Sequence, residues 1–564
     1  MKKTILWLLI LSIISSYFTT AAFAETEDVY EPYVRSINFL NGIGVADIDI
    51  QNCDSELTRG EVAKYVYGLL NNSTKSEKII GVFTDVGEET QYANIIEDLA
   101  KKGIIHGYSD GSYQPDKPAT FFDAVCILTY VMGLQYEAEI NGEDEAAYMR
   151  AAQNNGLLDK IKEQSGFVSV GDMAVMMYNA LHGYIMEMTL SDGTRQYGKS
   201  DKTLLYNNFN IAYDEGIIIK NDITALWAAT DIQKGMIEIS TSRGNIEVEA
   251  GNSDVWQDIG KKVRIYYYCD DEFTYAYHEI HKMNSELTID LDRIDTKATD
   301  LTAGKVSYTD EDTNKIKTKK TDSDFSFLYN NMYYAEGSFD LNELTGCAGS
   351  LTLIDNDGDN QYDVISLKKY DTLFVDAISE TDNLIFDKID KSYFVSTDEN
   401  DYKKAIIKDS NGNDAQFSDI IAGSVISVAQ SSASTKEKVI EIIISLNFIT
   451  GKITKIQSGD YSEVTIDDMK NYFVLKNIST EGLLGMTVTA YLDAFGNIAY
   501  FNSLSGRDWQ YGICIKKKYD SDNEILTLKI ISTDGKVSDY QVGKNIRVDE
   551  KTYKNIADAN DILN

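Results

Sequence analysis

The sequence predicts a multidomain protein of the α plus β class. A helical N-terminal region is followed by tandem small antiparallel β-modules. Three observations predict this. At 564 residues the chain is too long for one hydrophobic core. Up to about residue 190, apolar residues recur at helical spacing behind repeated N-cap signals. From about residue 200 the apolar residues alternate, β-branched residues and tyrosines increase, and Asp/Asn/Gly turns recur, which is the pattern of strands and hairpins.

The first element is a leader. Lys2 and Lys3 precede an apolar stretch, Ile5 to Ile14, and Ala22-Phe23-Ala24 supplies small residues for cleavage, so residues 1–24 read as a signal peptide. The apolar stretch is short for a bilayer and no later segment is apolar enough, so export without a membrane span is expected. The formal charge is −36, and losing Lys2 and Lys3 takes it to −38. Such a surface repels polyanions, which excludes nucleic acid as a partner, and attracts cations. Cys53, Cys126, Cys269, Cys347 and Cys514 are odd in number and scattered, with no zinc or redox spacing. They are expected to be unpaired thiols, mostly buried.

The helical region, residues 25–190, reads as three repeats at about 30–75, 76–140 and 141–190. In each, a first helix ends at a glycine followed by apolar residues: Gly42-Ile43, Gly103-Ile104-Ile105 and Gly156-Leu157-Leu158. A second helix then opens on a capping sequence. Thr58-Arg59-Gly60-Glu61 has the full S/T-x-x-E form, while Thr120-Phe121-Phe122-Asp123 and Ser169-Val170-Gly171-Asp172 carry Asp at the third position. No unit of this size buries its apolar face alone, so the three should pack together.

Phe83-Thr84-Asp85-Val86, Gly103-Ile104-Ile105-His106-Gly107-Tyr108, Asp110-Gly111-Ser112-Tyr113-Gln114-Pro115 and Thr58-Arg59-Gly60-Glu61 together resemble the S-layer homology (SLH) repeat. The resemblance covers roughly residues 30–188 and is sharpest in the middle repeat. It implies one pseudo-threefold helical domain whose inter-repeat grooves bind pyruvylated secondary cell wall polysaccharide. Arg59 is the sharpest candidate, because a guanidinium grips the carboxylate of a pyruvyl ketal bidentately. Thr58 and Glu61 flank it, and both are explained equally by capping. Tyr108, Asp110 and Gly111 line the loop that the family uses, although an Asp-Gly turn accounts for the last two. The other repeats put Phe121 and Val170 at the arginine position, which puts binding in their grooves in doubt. Residues 25–190 carry 11 basic and 27 acidic side chains. Attachment to an anionic polymer must then depend on a few placed cations.

The β-region divides into modules at 200–290, 291–369, 370–447, 448–507 and 508–564. Heads stand at Gly235, Gly304, Asp376, Gly451 and Gly512. A second glycine signal follows at Gly260, Gly349, Gly423 and Gly485. The fifth module lacks that second signal, so the chain is expected to stop inside a module, either as a fragment or completed by a neighbour's strand. The modules loosely resemble β-rich regions of clostridial SLH surface proteins.

Within the second module, Asp355, Asp357, Asp359 and Asp363 place carboxylates at positions 1, 3, 5 and 9 of an acidic turn. That pattern admits calcium between strands, or a solvated hairpin turn. The glycine is misplaced and the flanks are strand-like, so it is not an EF-hand. No nucleophile elbow, phosphate loop or zinc-protease spacing occurs, so no catalytic residue is nominated. The expected function is an exported surface-layer or wall-associated structural protein that self-associates into an array. A wall-anchored glycan-binding adhesin is the alternative, with a wall-anchored enzyme behind it.

Overall fold

The computed structural model describes residues 31–71 and 81–562 apart from short segments, the longest being 335–340, 398–403, 432–438 and 504–511. The expected leader lies outside the described residues. The protein is mixed α plus β, and by contact density it divides into two compact units, residues 1–214 with 265–279, and 215–264 with 280–564.

Among the described residues, six helices of nine residues or more carry the helical region: α1 Glu31–Gly42, α2 Arg59–Leu69, α3 Ala93–Lys101, α4 Phe121–Met132, α5 Glu145–Asn154 and α6 Val170–His182. Helical spacing decides what they bury. α2 turns Val62, Ala63, Val66 and Leu69 inward, and α4 turns Ala124, Val125, Leu128 and Met132 inward. Two capping boxes form, Thr58 with Glu61 and Thr120 with Asp123, and Ser169 caps α6 through the Asp172 N–H. The residues before these caps close a ring of three backbone hydrogen bonds. Leu57 N–H donates to Val168 O (3.0 Å), Val168 N–H to Ala119 O (3.0 Å), and Ala119 N–H to Leu57 O (2.8 Å).

One glycine expectation is corrected. The left-handed residues that end the first helices are Gly44, Gly103 and Gly156, at φ +70°, +70° and +77°. Gly42 is still helical, and Val45 N–H bonds back to Leu40 O as Ile104 does to Leu99 and Leu157 to Ala152. Two glycines in one short stretch satisfied the same sequence signal, and the conformation selects the second.

A hairpin, β1 Tyr184–Ser191 with β2 Thr194–Thr203, follows α6. β3 Ile211–Asn221, β4 Met236–Thr241, β5 Gly244–Glu249, β6 Lys262–Cys269 and β7 Phe273–Ile280 then close a barrel in the order β3-β4-β5-β7-β6. β19 Phe448–Ser458, β20 Ser462–Ile466, β21 Lys470–Val474, β22 Thr487–Leu492 and β23 Ile498–Ser503 close another in the same order, with the third strand parallel to the fifth.

Between them lies an eleven-stranded sheet that repeats this connectivity twice. In its first half β8 Ser285–Asp290 pairs with β12 Ala348–Asp355, β12 with β13 Tyr362–Ser379, and β13 runs parallel to β10 Ile316–Tyr329. β10 pairs with β9 Lys305–Thr309, and a bridge from Ile294 to Tyr308 returns to the residues after β8; β11 Met332–Tyr333 adds to β10. In the second half the far end of β13 pairs with β14 Leu384–Asp387 and β17 Val425–Gln430, and β14 with β15 Phe394–Ser396. β16 Lys404–Asp409 runs parallel to β18 Val439–Ser445, which also pairs with β17. β13 is thus the last strand of one half and the first of the next. A three-stranded sheet follows, β24 Gly512–Asp520, β25 Ile525–Ser532 and β26 Val537–Gln541, and then a two-stranded one, β27 Ile546–Val548 with β28 Lys551–Tyr553.

The second glycine signal has a structural origin. Gly260, Gly423 and Gly485 are the third residues of β-turns before β6, β17 and β22, at φ +84°, +91° and +80°. Their N–H groups bond Ile218 O, Val375 O and Ile453 O on the first strand of each set. A type II turn requires such a glycine. In the second set Gly349 sits inside β12 rather than before it, so it is not the equivalent residue. Nor do the heads mark one strand: Gly235 and Gly304 precede the second strands, whereas Asp376, Gly451 and Gly512 lie in first strands. Alternation reveals a strand but not its rank in a barrel.

None of the five cysteines is in a disulfide among the described residues; Cys53 is buried and Cys514 exposed.

Candidate functional site

Arg59 opens α2, where the helix abuts the loop of the next repeat. Its side chain is not the solvent-facing fork that the sequence suggested. Only 6% of the residue is exposed. Nε donates to Tyr113 O (2.9 Å), one terminal nitrogen to Asp123 Oδ1 (2.8 Å), and the other to His106 O (3.0 Å). The guanidinium carbon lies 4.6 Å from the Tyr113 ring centroid and 5.0 Å from that of Tyr108. The physical reason is proximity. A cation at a helix start beside two carbonyls and a carboxylate is better satisfied by them than by water.

Thr58 and Glu61 are engaged in capping: Thr58 N–H and Oγ1 both donate to Glu61 Oε2 at 2.8 Å. Asp110 accepts from Ser112 N–H and Oγ (2.9 and 2.7 Å), bonds that hold its carboxyl below the usual range. Gly111 turns the loop at φ +83°, and its carbonyl accepts from Thr84 N–H (2.9 Å). Tyr108 is the outward member, 37% exposed.

Three contributors escaped sequence reading. Asp85 accepts from Tyr113 N–H and Gln114 N–H, both 2.7 Å, and anchors the loop. Asp123 counters Arg59 while also capping α4. Lys117 is exposed; its Nζ lies 3.2 Å from Tyr108 Oη and 4.8 Å from that ring's centroid. The Pro115–Pro118 segment, following the recognised loop, was the available signal for Lys117. The groove therefore combines an exposed ammonium, an exposed tyrosine and a buried, neutralised guanidinium behind them. Such an arrangement can hold one carboxylate against an aromatic face. At the positions equivalent to Arg59, Phe121 and Val170 are buried apolar residues.

The acidic turn between β12 and β13 brings together Asp355, Asp357 and Asp363, with carboxylate oxygens within 4.8 Å of one another. Asp359 does not join them; it accepts from Gln361 N–H and Nε2 (2.7 and 3.0 Å). A turn shorter than an EF-hand loop points successive residues apart, which is why the 1-3-5-9 pattern fails at its third member. Asp322 on β10 adds charge that sequence reading missed. Burial first, then the charges of Asp357, Asp322 and Asp355, push the Asp363 carboxyl up to about 6.

The S-layer homology domain family matches residues 82–125. The middle cell wall protein of Brevibacillus brevis is 23% identical over 156 residues, 27% of this chain and 14% of that protein. A cell surface protein of Thermoanaerobacter kivui is 22% identical over 265 residues, 44% of this chain and 32% of that protein. The chain thus spans less than a third of the length of either relative.

Proposed function

We propose that this chain, which carries an S-layer homology domain and is similar to surface-associated cell wall proteins, is a structural protein. It is exported and held non-covalently on pyruvylated secondary cell wall polysaccharide by a pseudo-threefold helical domain. The ring of hydrogen bonds among Leu57, Ala119 and Val168 supports the threefold arrangement. The single observation that carries the attachment is the exposed Lys117 ammonium beside Tyr108, in a region where acidic residues outnumber basic ones. The ketal carboxylate pairs with Lys117, the sugar ring lies on Tyr108, and Arg59 fixes the groove. The β-modules act as spacers and as contacts between copies in an array. The test is co-sedimentation with purified walls. Lys117→Glu should weaken pelleting about tenfold or more, the worth of one charge-assisted contact, with an unchanged melting temperature. Mild-acid removal of the ketal from the walls should do the same to the unaltered protein. Full pelleting after either change sinks the reading.

A second reading, weak calcium binding in the second module, is favoured by the convergence of Asp355, Asp357 and Asp363. A carboxyl with its folded pKa raised loses stabilisation as pH climbs from about 4 through about 6, and the penalty is complete at neutral pH. Calcium would offset the charge of the ionised cluster and relieve that penalty. At pH 7 without calcium, Asp363→Asn is expected to stabilise the module by about 1 kcal/mol, well below the full value of the shift because the half-exposed carboxyl is screened by solvent. The unaltered protein should gain about 1–2 kcal/mol at several millimolar calcium if Kd lies near 10⁻⁴–10⁻³ M, and the variant should not. Melts insensitive to calcium would remove the site.

A further inference from the structure

A cleft of about 310 Å³ lies within the second unit, at the lower end of the roughly 300–1,000 Å³ typical of ligand sites. Its lining includes Asp290 and Asp292, where the first set of the large sheet leaves β8, together with Phe473, Phe495 and Asn497. Phe473 stands on β21, the third strand of the last closed barrel, and Phe495 and Asn497 stand in the connection from its fourth strand to its fifth.

The topology gives that position a meaning. A closed five-stranded barrel in the order 1-2-3-5-4, with strands 3 and 5 parallel, has the arrangement of an OB-fold. Such barrels receive oligonucleotides and oligosaccharides on the face of strands 2 and 3, between the 1–2 and 4–5 loops. The cleft chemistry selects between these. Two carboxylates at the wall of a chain with net charge −36 repel phosphate. Phe473 and Phe495 are each 44% exposed, and Phe495 is braced by Tyr370 at 5.1 Å between ring centroids. Asp493 Oδ2 accepts from Asn497 Nδ2 at 3.1 Å, which fixes the amide. Phenyl faces accept the apolar face of a sugar ring and favour a nearby cation. Neither Asp290 nor Asp292 is in an ion pair among the described residues.

We propose that this cleft binds a sugar ring carrying a protonated amine, a hexosamine unit of a glycan. The ring packs on Phe473 and Phe495, and the ammonium pairs with Asp290 and Asp292. The site is independent of wall attachment through the helical domain.

Calorimetry on the mature chain tests it, with the β-1,4-linked glucosamine trimer as probe, and its N-acetylated form and trilysine as comparators. The glucosamine trimer should saturate, and both comparators should bind about tenfold more weakly, the value of one ammonium–carboxylate or one stacking contact. Phe473→Ala and Asp292→Asn should each weaken the trimer about fivefold or more. If Phe473→Ala lowers the melting temperature, Asp290→Asn takes its place. The proposal is overturned by no saturation at about 10 mM, equal binding of trilysine, or unchanged affinity in the folded variants.

Discussion

Arg59→Ala is expected to destabilise the helical domain by about 2–4 kcal/mol and to abolish wall binding with it. Removing one partner of a buried pair costs about 3–5 kcal/mol, and the partial exposure of Asp123, 27% of its side chain, trims that. Two carbonyls, Tyr113 O and His106 O, lose their donors at the same time. The loop that carries Tyr108 and Lys117 then has one tether fewer, so binding fails through geometry rather than through a lost ligand contact. Arg59→Lys keeps the charge but not the planar fork, and should recover only part of the stability. Because the chain is multidomain, the helical transition has to be followed separately, by far-UV ellipticity of the intact protein. An unchanged transition in Arg59→Ala would show that the guanidinium is not the joint between the two repeats.

Lys368→Met should cost about 2–4 kcal/mol in the large sheet, through a charge left buried. Glu441 on β18 is 7% exposed and accepts from Lys368 Nζ and Tyr370 Oη, both at 2.8 Å. Burial opposes its charge, but Lys368 and these bonds together hold its carboxyl below the usual range. A depressed carboxyl contributes stability that is present above its ordinary pKa and lost as pH falls through the folded value. The unaltered sheet should therefore weaken in acid. In Lys368→Met the sign reverses, because the unpaired carboxylate gains by taking up a proton. Adding Glu441→Gln to Lys368→Met should recover most of the loss, since the amide still accepts from Tyr370 without a charge. Denaturant unfolding of the four members of this cycle measures the coupling. Additive effects would show that the pair is not coupled.

The SLH resemblance was legible because its signals are local. Asp85 and the Gly103–Pro115 segment stand close together, and a loop closed by Asp85 is specified within thirty residues. The capping residues were legible for the same reason: Thr58 and Glu61 meet within one helical turn. The role of Arg59 was not, because its partners His106, Tyr113 and Asp123 lie 47, 54 and 64 residues away. Those separations close only when two repeats pack. Gly42 was mistaken for Gly44 because composition marks a helix end to within a residue or two, while the left-handed φ marks one residue.

In the β-region, the sequence by itself determined the strands, the turn glycines at Gly260, Gly423 and Gly485, and the acidic turn. Each depends on residues within one hairpin, where alternation and φ preference act directly on the backbone. Tertiary structure alone decided which strand of a barrel each segment became, that β13 would serve two sets, and that Asp322 rather than Asp359 would stand near Asp363. It alone brought Phe473 and Phe495 into one cleft with Asp290 and Asp292, about two hundred residues apart in the chain. The reason is that pairing between distant strands is selected by the sum of many weak burial terms over the whole fold, and no short window of sequence contains that sum.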